Sequence, residues 1–518
     1  MRSMKIPHPR LLLLFAVLGA SGLRAEVVLA PLFADHAVLQ RNKPVPVWGQ
    51  AAAGESVSVS FLGQTVQTRA APDGRWSVFL FPMPATGTGA DLVVKGSNTI
   101  TRHDVVVGEV WLCSGQSNME LELNGKNLHA LNAAAEVAAA NYPLIRQFKV
   151  IHAESDSPLE TATGAWEPCS PATAGLFSAV GYFFARDIYR KLGVPIGLVN
   201  SSWGGTPIEA WSDRYDLASD PAFAVIGQRW QQSLAVFPQK HAAFVAALAL
   251  WTKSREAAEK AGPGPLAKFL KTSPKPYPPN GPGTPATPSG LFNGMIYPLL
   301  PYALRGVLWY QGEANINHAN EYHRLFAAMI TAWRSRFEQG EIPFFWVQLA
   351  NFEQPEDPTH ERWAFLREAQ SQTLSLPVTG QAVIIDIGDP ANIHPQNKQE
   401  VGRRLALIAK AKVYDIPVDF SGPVFDEATR EGAALRVKFK YAGTGLIAAG
   451  RPLQSFEVAG ADRQFHPADA AIAGETVLVQ SPQVPVPVAV RYAWRNAPDA
   501  NLQNGAGLPA GPFRSDSW

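Results

Sequence analysis

Alternation of apolar and polar residues marks the first part of the chain. Residues 57–61 and 76–80 place an apolar side chain at every second position, and turn residues at 72–74 separate such segments. A period of two is typical of strands with one buried face. Short strands at this spacing predict a β-sandwich-like domain over residues 26–107.

The pattern changes near residue 108 to continuous apolar runs that alternate with helical periodicity. Buried strands are predicted at 105–114, 196–200, 307–310, 344–349 and 382–386. Helices are predicted at 180–192, 322–337, 362–374 and 398–410. This order predicts an α/β domain over residues 108–416, with a parallel sheet and helices on both faces. Ligands of such sheets bind beyond the carboxyl ends of the strands, so chemistry is expected in the loops that follow the strands.

Two other regions depart from this alternation. Residues 234–289 form an insertion whose first half is rich in Ala and Lys and predicts a helix, whereas residues 263–288 are dense in Pro, Gly and Thr. The second half is predicted to be an extended surface segment, with a lid over the site as the functional alternative. Strand patterns return after residue 417 and predict a second small β domain over residues 417–518.

The N-terminus has the pattern of a secretory signal. Three basic residues lie within the first ten positions, and an apolar run follows at 11–18. A stretch rich in small residues then ends at Ala25. This arrangement predicts a signal peptide over residues 1–25 and an exported protein, periplasmic or extracellular. No later run approaches about 20 apolar residues, so no membrane span is expected.

Composition narrows the partners further. The chain has 518 residues, of which 45 are basic and 44 acidic, giving a net charge of +1. This balance provides no electrostatic attraction for nucleic acid or an anionic membrane surface, and we expect neither partner. With two cysteines, Cys113 and Cys169, and no HExxH motif, the sequence predicts no metal and no cofactor. A disulfide between the cysteines and two free thiols both remain open.

The loop after the strand at 105–114 carries the first candidate for chemistry. Ser117 lies on a tight turn after Gly115, where a following helix would offer backbone N–H groups to an oxyanion. These are the requirements of a nucleophile, although a serine in such a turn is also a common helix cap.

Two further loops offer groups that could stabilise negative charge. In the first, Gly204 and Gly205 follow the strand at 196–200, and the Gly205 N–H is a candidate oxyanion donor. In the second, the Gln311 amide could donate to the same oxyanion, and Glu313 could orient loop groups or bind substrate hydroxyls. Turn geometry and ordinary loop polarity are the alternatives for these residues.

The fourth loop supplies a candidate base. His394 follows a late strand, precedes Pro395, and has two acids, Asp386 and Asp389, shortly before it. A histidine pKa near 6.5 suits proton transfer at neutral pH. The rival histidines at 318, 323 and 360 lack this context.

These loops together resemble the blocks of the sialate O-acetylesterase family of SGNH hydrolases. The matching blocks occur in order at 108–119, 203–211, 309–315 and 393–398, and the segments 38–41 and 501–509 resemble the family's flanking β domains. The resemblance implies a flavodoxin-like α/β/α core without metal, with Ser117 as nucleophile and His394 as base. It further implies oxyanion donors from Ser117, Gly204, Gly205 and Gln311. The side chains expected to contact substrate are Gln116, Asn118, Trp203, Glu313 and Asn315.

The sequence departs from the superfamily at the third catalytic position. Many SGNH esterases have an acid three residues before the histidine, and here that residue is Ala391. The orienting role could fall to Asp389, to Asp386, to a backbone carbonyl or to no acid. Of these, Asp389 is predicted to be the orienting acid.

The expected activity is release of acetate from an O-acetylated carbohydrate. The resemblance favours acetylated sialic acid, with the plant hemicelluloses xylan or xyloglucan as the alternative. Arg214 and Arg362 are candidate cations for a sugar carboxylate, and the aromatics Trp203, Trp211 and Trp363 would equally suit a neutral sugar or the core. A lipase or thioesterase and a non-catalytic carbohydrate-binding protein are the competing interpretations.

Overall fold

The structure is a computed structural model that describes residues 26–518. The predicted signal peptide lies outside the described residues. The strands of the N-terminal region are β1 (Val28–Leu29), β2 (Val38–Gln40), β3 (Val45–Gln50), β4 (Ser56–Phe61), β5 (Gln64–Arg69), β6 (Arg75–Leu80) and β7 (Thr86–Lys95). In β6 buried and exposed side chains alternate without interruption, as the period of two predicts.

The central region alternates strands and helices. Its elements are β8 (Thr99–Gly115), α1 (Ser117–Glu120), α2 (Ala133–Ala138), β9 (Tyr142–Val150), β10 (Gly164–Cys169), α3 (Ala179–Leu192), β11 (Ile196–Ser202), α4 (Arg214–Ser219), α5 (Ala224–Lys260), α6 (Pro263–Thr272), β12 (Gly306–Tyr310), α7 (Ala319–Phe337), β13 (Phe344–Val347), α8 (Arg362–Gln372), β14 (Thr379–Ala382) and α9 (Lys398–Val413). The last strand ends at Ala382, where the sequence pattern predicted that it would begin.

The C-terminal region consists of short strands. They are β15 (Val424–Glu431), β16 (Ala434–Lys440), β17 (Leu446–Ala448), β18 (Phe456–Ala459), β19 (Phe465–Pro467), β20 (Asp469–Ala473), β21 (Thr476–Gln480), β22 (Ala489–Tyr492), β23 (Leu502–Asn504) and β24 (Phe513–Arg514). They form two four-stranded sheets and one two-stranded sheet around a hydrophobic cluster of their own.

The central sheet has the strand order β10-β9-β11-β8-β12-β13-β14. All of its neighbouring pairs are parallel except β9 and β10, which are antiparallel. The sheet is therefore mixed, which corrects the prediction of a parallel sheet. The connection from β9 to β10 contains no helix, and without a crossover the next strand returns antiparallel.

Helices cover both faces of this sheet. Trp111 on β8 packs its ring 4.9 Å from Phe184 of α3, and Trp309 on β12 lies 6.2 Å from Phe326 of α7. Because Trp111 is aligned with Gly306 and Trp309 is three residues further along β12, the two tryptophans point to opposite faces. The α3 and α7 layers therefore enclose the sheet.

The boundary predicted at residues 107/108 falls inside one continuous strand. Strand β8 has 17 residues. Its first part pairs with β7 and its second part pairs with β11 and β12, while β2 pairs with the middle at Val106, Val107 and Gly108. Strands β2, β4, β5 and β7, which form the N-terminal sheet, are therefore hydrogen-bonded with the central sheet into one sheet of 11 strands, whereas β1, β3 and β6 form a separate three-stranded sheet.

The insertion is more helical than its composition suggests. Helix α5 runs for 37 residues through Pro238, and α6 begins at Pro263, inside the segment predicted to be extended. Proline is tolerated in the first turn, where no intrahelical N–H bond is lost. Residues 273–288 return to the core without regular structure.

The described residues contain one helical stretch, Pro221–Lys260, that is long and apolar enough to cross a membrane. The expectation of no membrane span stays a prediction. Length and composition alone are weak evidence for a membrane span. In α5 only Ile226 is buried.

Both cysteines are free and buried. Burial raises the pKa of the Cys169 thiol to about 12 and raises that of Cys113 further. The two cysteines therefore form no disulfide with each other, which answers the question that the sequence left open.

Candidate active site

Ser117 is placed by the sharp turn at the end of β8. Gly115 has φ +130°, and a Cβ at this residue would lie 2.1 Å from the Tyr310 carbonyl oxygen. Glycine is therefore required for β8 to approach β12 so closely. The Gln116 N–H donates to the same carbonyl, and α1 begins at Ser117.

His394 reaches Ser117 from the loop before α9. Its Nε2 lies 2.8 Å from Ser117 Oγ, although the residues are 277 positions apart in the chain. The His394 backbone N–H donates to Asn392 Oδ1, which fixes the loop. Burial, and secondarily the nearby Lys398 cation, lowers the pKa of His394 below its usual value of 6.5, so the ring is neutral and able to accept a proton at pH 7.

The expected third catalytic residue does not contact the histidine. Asp389 accepts a hydrogen bond from the Ala391 N–H, and Asp386 forms a bidentate ion pair with Arg404 at 2.6 and 2.7 Å. Within residues 26–518, His394 Nδ1 has no hydrogen-bond partner. The observed contact joins Ser117 and His394 without an acid, and the choice of Asp389 as orienting acid does not fit this geometry.

The backbone N–H groups near Ser117 divide into free and occupied ones. In the described part of the chain the N–H groups of Ser117 and Gly205 have no acceptor, so both are available to an oxyanion. Gly205 has φ +73°, which agrees with the alternative interpretation of this loop as a turn that requires positive φ. The Gly204 N–H instead donates to Glu120 Oε2 at 2.7 Å, so Gly204 is not free for the predicted role.

Gln311 is also occupied. Its amide donates to the Thr206 carbonyl at 3.1 Å and to Asn315 Oδ1 at 2.7 Å, its Oε1 accepts from the Tyr322 hydroxyl, and its side chain is fully buried. With both amide hydrogens donated inside the protein, Gln311 supports the loop and does not point at a substrate oxyanion. This corrects the sequence-based assignment.

Four of the five predicted substrate contacts are buried in the scaffold, namely Gln116, Asn118, Glu313 and Asn315. Gln116 Oε1 accepts from two backbone N–H groups of the loop after β12. Asn315 donates to Glu209 and accepts from the Ile208 N–H. These side chains join the catalytic loops to one another, and the sequence does not distinguish such internal bonds from bonds to a ligand.

A buried polar network adjoins Ser117. Asn118 donates to Glu313 Oε1 at 2.6 Å and to the Ile393 carbonyl at 3.0 Å, and its Oδ1 accepts from Lys398 Nζ at 2.6 Å. Burial lowers the pKa of Lys398 to about 7 and raises the pKa of Glu313. The network thus ties the serine turn to the loop and helix that carry His394.

Trp203 is the one predicted contact that is partly exposed at the site. It stacks on His152 with ring centroids 4.1 Å apart, and His152 Nε2 lies 2.8 Å from Glu120. Sequence reasoning missed His152 and Glu120. Glu120 follows Ser117 by three residues and therefore lies in the same helical turn, which could have indicated it.

The other candidates lie away from the nucleophile or in the core. Trp211 and Trp363 are buried. Arg214 lies over the Tyr215 ring, and Arg362 donates to Asn317. Neither arginine is bonded to a catalytic residue. Across residues 26–518 no group of three or more His, Cys, Asp or Glu side chains could hold a metal ion.

Comparisons with known proteins show the family of the chain. A family model described as "Carbohydrate esterase, sialic acid-specific acetylesterase" matches residues 107–243 and 295–409. The sialate O-acetylesterase of Rattus norvegicus is 33% identical over 430 residues, which cover 75% of this chain and 74% of the relative. That of Homo sapiens is 30% identical over 424 residues, covering 73% and 69%. The crystal structure of a carbohydrate acetylesterase from Xanthomonas citri aligns with TM-score 0.80 and 41% identity, covering 95% of this chain and 100% of that one.

Proposed function

Because the chain belongs to the carbohydrate esterase family of sialic acid-specific acetylesterases, we propose that Ser117 and His394 are the catalytic pair of a carbohydrate O-acetylesterase. The observation that carries this assignment is the 2.8 Å distance between Ser117 Oγ and His394 Nε2. That distance is within the range in which a histidine accepts a serine proton during nucleophilic attack. Both relatives and geometry therefore support a serine carboxylic-ester hydrolase.

The chemistry follows from the dyad. Ser117 Oγ attacks the acetyl carbonyl carbon while its proton passes to His394 Nε2, and the N–H groups of Ser117 and Gly205 donate to the oxyanion. The histidinium then protonates the departing sugar oxygen, which leaves acetyl-Ser117. Water then attacks this ester and gives a proton to His394, and the histidinium passes that proton to Ser117 Oγ as the ester C–O bond breaks. Free Ser117 and acetic acid result, and the acid ionises to acetate.

The strand order supports an SGNH-type core. Among themselves, β8, β11, β12, β13 and β14 have the spatial order 2-1-3-4-5 of the flavodoxin-like fold. The order reverses at β8, and the dyad lies where β8 ends. The carboxyl-end crevice of this fold is the expected place for a ligand.

The substrate is proposed to be an O-acetylated sugar. The names of the relatives favour acetylated sialic acid, and an acetylated hemicellulose is the alternative. We also propose that the protein is exported, on the basic, apolar and small-residue pattern of residues 1–25.

The test measures acetate release from 4-nitrophenyl acetate and from acetylated sialic acid, xylan and xyloglucan fragments. We expect Ser117→Ala and His394→Ala to lose at least about 10³-fold in kcat. Undiminished turnover in Ser117→Ala would refute the nucleophile. A preference for acyl chains longer than butyryl would indicate a lipase or thioesterase, and tight glycan binding without hydrolysis of any ester would indicate a binding protein.

A further inference from the structure

A cavity of about 260 Å³ opens between the catalytic core and the insertion. It lies beside the loop of Gly204 and Gly205, called the oxyanion loop below. The core contributes Gly205 and Glu209 on one side and Ala314 and His318 on another. The opposite wall comes from α5 and the proline-rich return segment, with Arg229, Trp230, Ser233, Asn280 and Ala286. This volume is below the range of a whole small-molecule site and suits one unit of a larger ligand.

The cavity adjoins the nucleophile. A Cβ on Gly204 would lie 3.2 Å from Ser117 Cβ, so this loop packs directly on the serine. Gly205 is the next residue and lines the cavity, and the Tyr277 hydroxyl lies 2.6 Å from where a Cβ on Gly205 would be. The Tyr277 side chain is 71% exposed, so its ring is not part of the core.

The insertion wall is held in place by bonds to the core. Arg229 of α5 donates to both carboxylate oxygens of Glu321 on α7, at 2.7 and 2.9 Å. The return segment packs on α5, since a Cβ on Gly281 would meet the Phe237 ring at 2.0 Å. The cavity is therefore formed before any ligand arrives, which lowers the cost of binding.

The lining matches a neutral, hydroxyl-rich ring. Trp230 is half-buried, and the Tyr277 hydroxyl lies beside Gly205. Hydroxyl partners are available from Asn280, Ser233 and His318. Arg229 is already paired with Glu321 and lies 4.0 Å from Glu209, so two carboxylates offset this cation and leave no free positive charge for an anionic sugar.

The sequence comparison separates the return segment of this wall from the catalytic residues. The family model matches residues 107–243 and 295–409, so residues 244–294 are unmatched. The dyad and oxyanion loop lie inside them, whereas Tyr277, Asn280 and Ala286 lie in the unmatched stretch. The α5 side of the wall, with Arg229, Trp230 and Ser233, lies inside the matched segment. The return segment is the part of the wall that differs from the family, and this part is suited to selecting the substrate.

We propose that this cavity binds the neutral sugar ring adjoining the acetylated residue, so that the substrate is an acetylated oligosaccharide or polysaccharide. The inference rests on the proposed esterase function and deepens it. The acetyl group lies at Ser117, the ring that bears it lies over Gly205, and the next ring enters the cavity beside Trp230, with Tyr277 over the junction.

The test is the ratio of kcat/KM for an acetylated neutral oligosaccharide to kcat/KM for 4-nitrophenyl acetate. We expect Tyr277→Ala to lower this ratio about 3- to 10-fold through KM, the size of a lost aromatic contact. Tyr277→Phe keeps the ring and should restore most of the ratio. Ser233→Trp places a large ring on the α5 wall of the cavity and should lower the ratio about 10-fold or more by excluding the second ring.

Tyr215→Ala is the matched control, because Tyr215 is 62% exposed and lies outside the cavity lining. We expect it to leave the ratio unchanged. A ratio unchanged in both Tyr277→Ala and Ser233→Trp overturns the proposal, as does a wild-type enzyme that hydrolyses free acetylated sialic acid in preference to every acetylated neutral oligosaccharide. Failure of the esterase assignment looks different, since wild-type protein would then release no acetate from the aryl ester.

Discussion

Asp389→Asn tests whether the histidine works without an orienting acid. In a serine–histidine–aspartate triad the corresponding replacement lowers kcat by about 10⁴-fold, because the histidine tautomer is no longer fixed. Here the Asp389 carboxylate accepts only the Ala391 N–H, in a partly exposed loop. Losing that bond costs about 1 kcal/mol of local loop stability. Even if all of it appeared in the barrier, kcat/KM would fall less than about 10-fold.

We therefore expect Asp389→Asn to retain kcat/KM on 4-nitrophenyl acetate within about threefold of wild type. Asp386→Asn is the companion variant, since Asp386 is held by Arg404 and is also out of contact with His394. The assay is initial-rate hydrolysis at pH 7.5, with thermal melting to show that each variant is folded. A loss of 100-fold or more in folded Asp389→Asn would refute the dyad and restore the triad.

Three further outcomes follow from the site and the core. The value of kcat/KM should fall as pH drops through the His394 pKa, which burial and Lys398 hold below 6.5; an acid limb centred above pH 6.5 would contradict this environment. Asn118→Ala removes the bonds that join buried Glu313 and Lys398, so we expect about 3 kcal/mol of destabilisation and a Tm lower by about 3 °C, read by calorimetry; a Tm within 1 °C of wild type would show that the network carries little stability. Dithiothreitol should leave the Tm unchanged, because both cysteines are free, and a fall of several degrees would reveal a disulfide.

The meeting of Ser117 and His394 could be predicted because it depends on a simple rule of sheets. Each follows a strand-rich segment of the α/β region, and parallel strands bring the loops at their carboxyl ends to one edge. The predicted pair is accordingly found at 2.8 Å. The resemblance also supplied the order of the four sequence blocks. The relatives belong to the same family.

The direction of individual amides could not be predicted. Gln311, Asn315 and Asn118 have the donors and acceptors that a substrate site needs, and they also have those that a buried scaffold needs. Which partner each takes depends on distances of a few tenths of an ångström between loops far apart in sequence. Hydrophobic patterns carry no information about such distances.

Local composition was also misleading in the insertion. Residues 263–272 contain Pro, Gly and Pro at their start, a run that suggests a turn, yet they form α6. The prolines fall in the first turn, where a helix tolerates them. The antiparallel β10 was missed for a different reason, since its direction is set by the helix-free connection after β9 and not by its own residues.

The shared strand β8 means that the N-terminal sheet cannot be trimmed away like a detachable module. Gln40, beside β8, donates to the fully buried Glu109 and accepts from the Val110 N–H, and Arg41 pairs with the same glutamate. A polypeptide shortened to begin at Gly108 would leave that carboxylate with Arg305 as its remaining ionic partner. Chimaeras among relatives should therefore exchange the N-terminal sheet together with the first strand of the hydrolase, because the two share one backbone ladder.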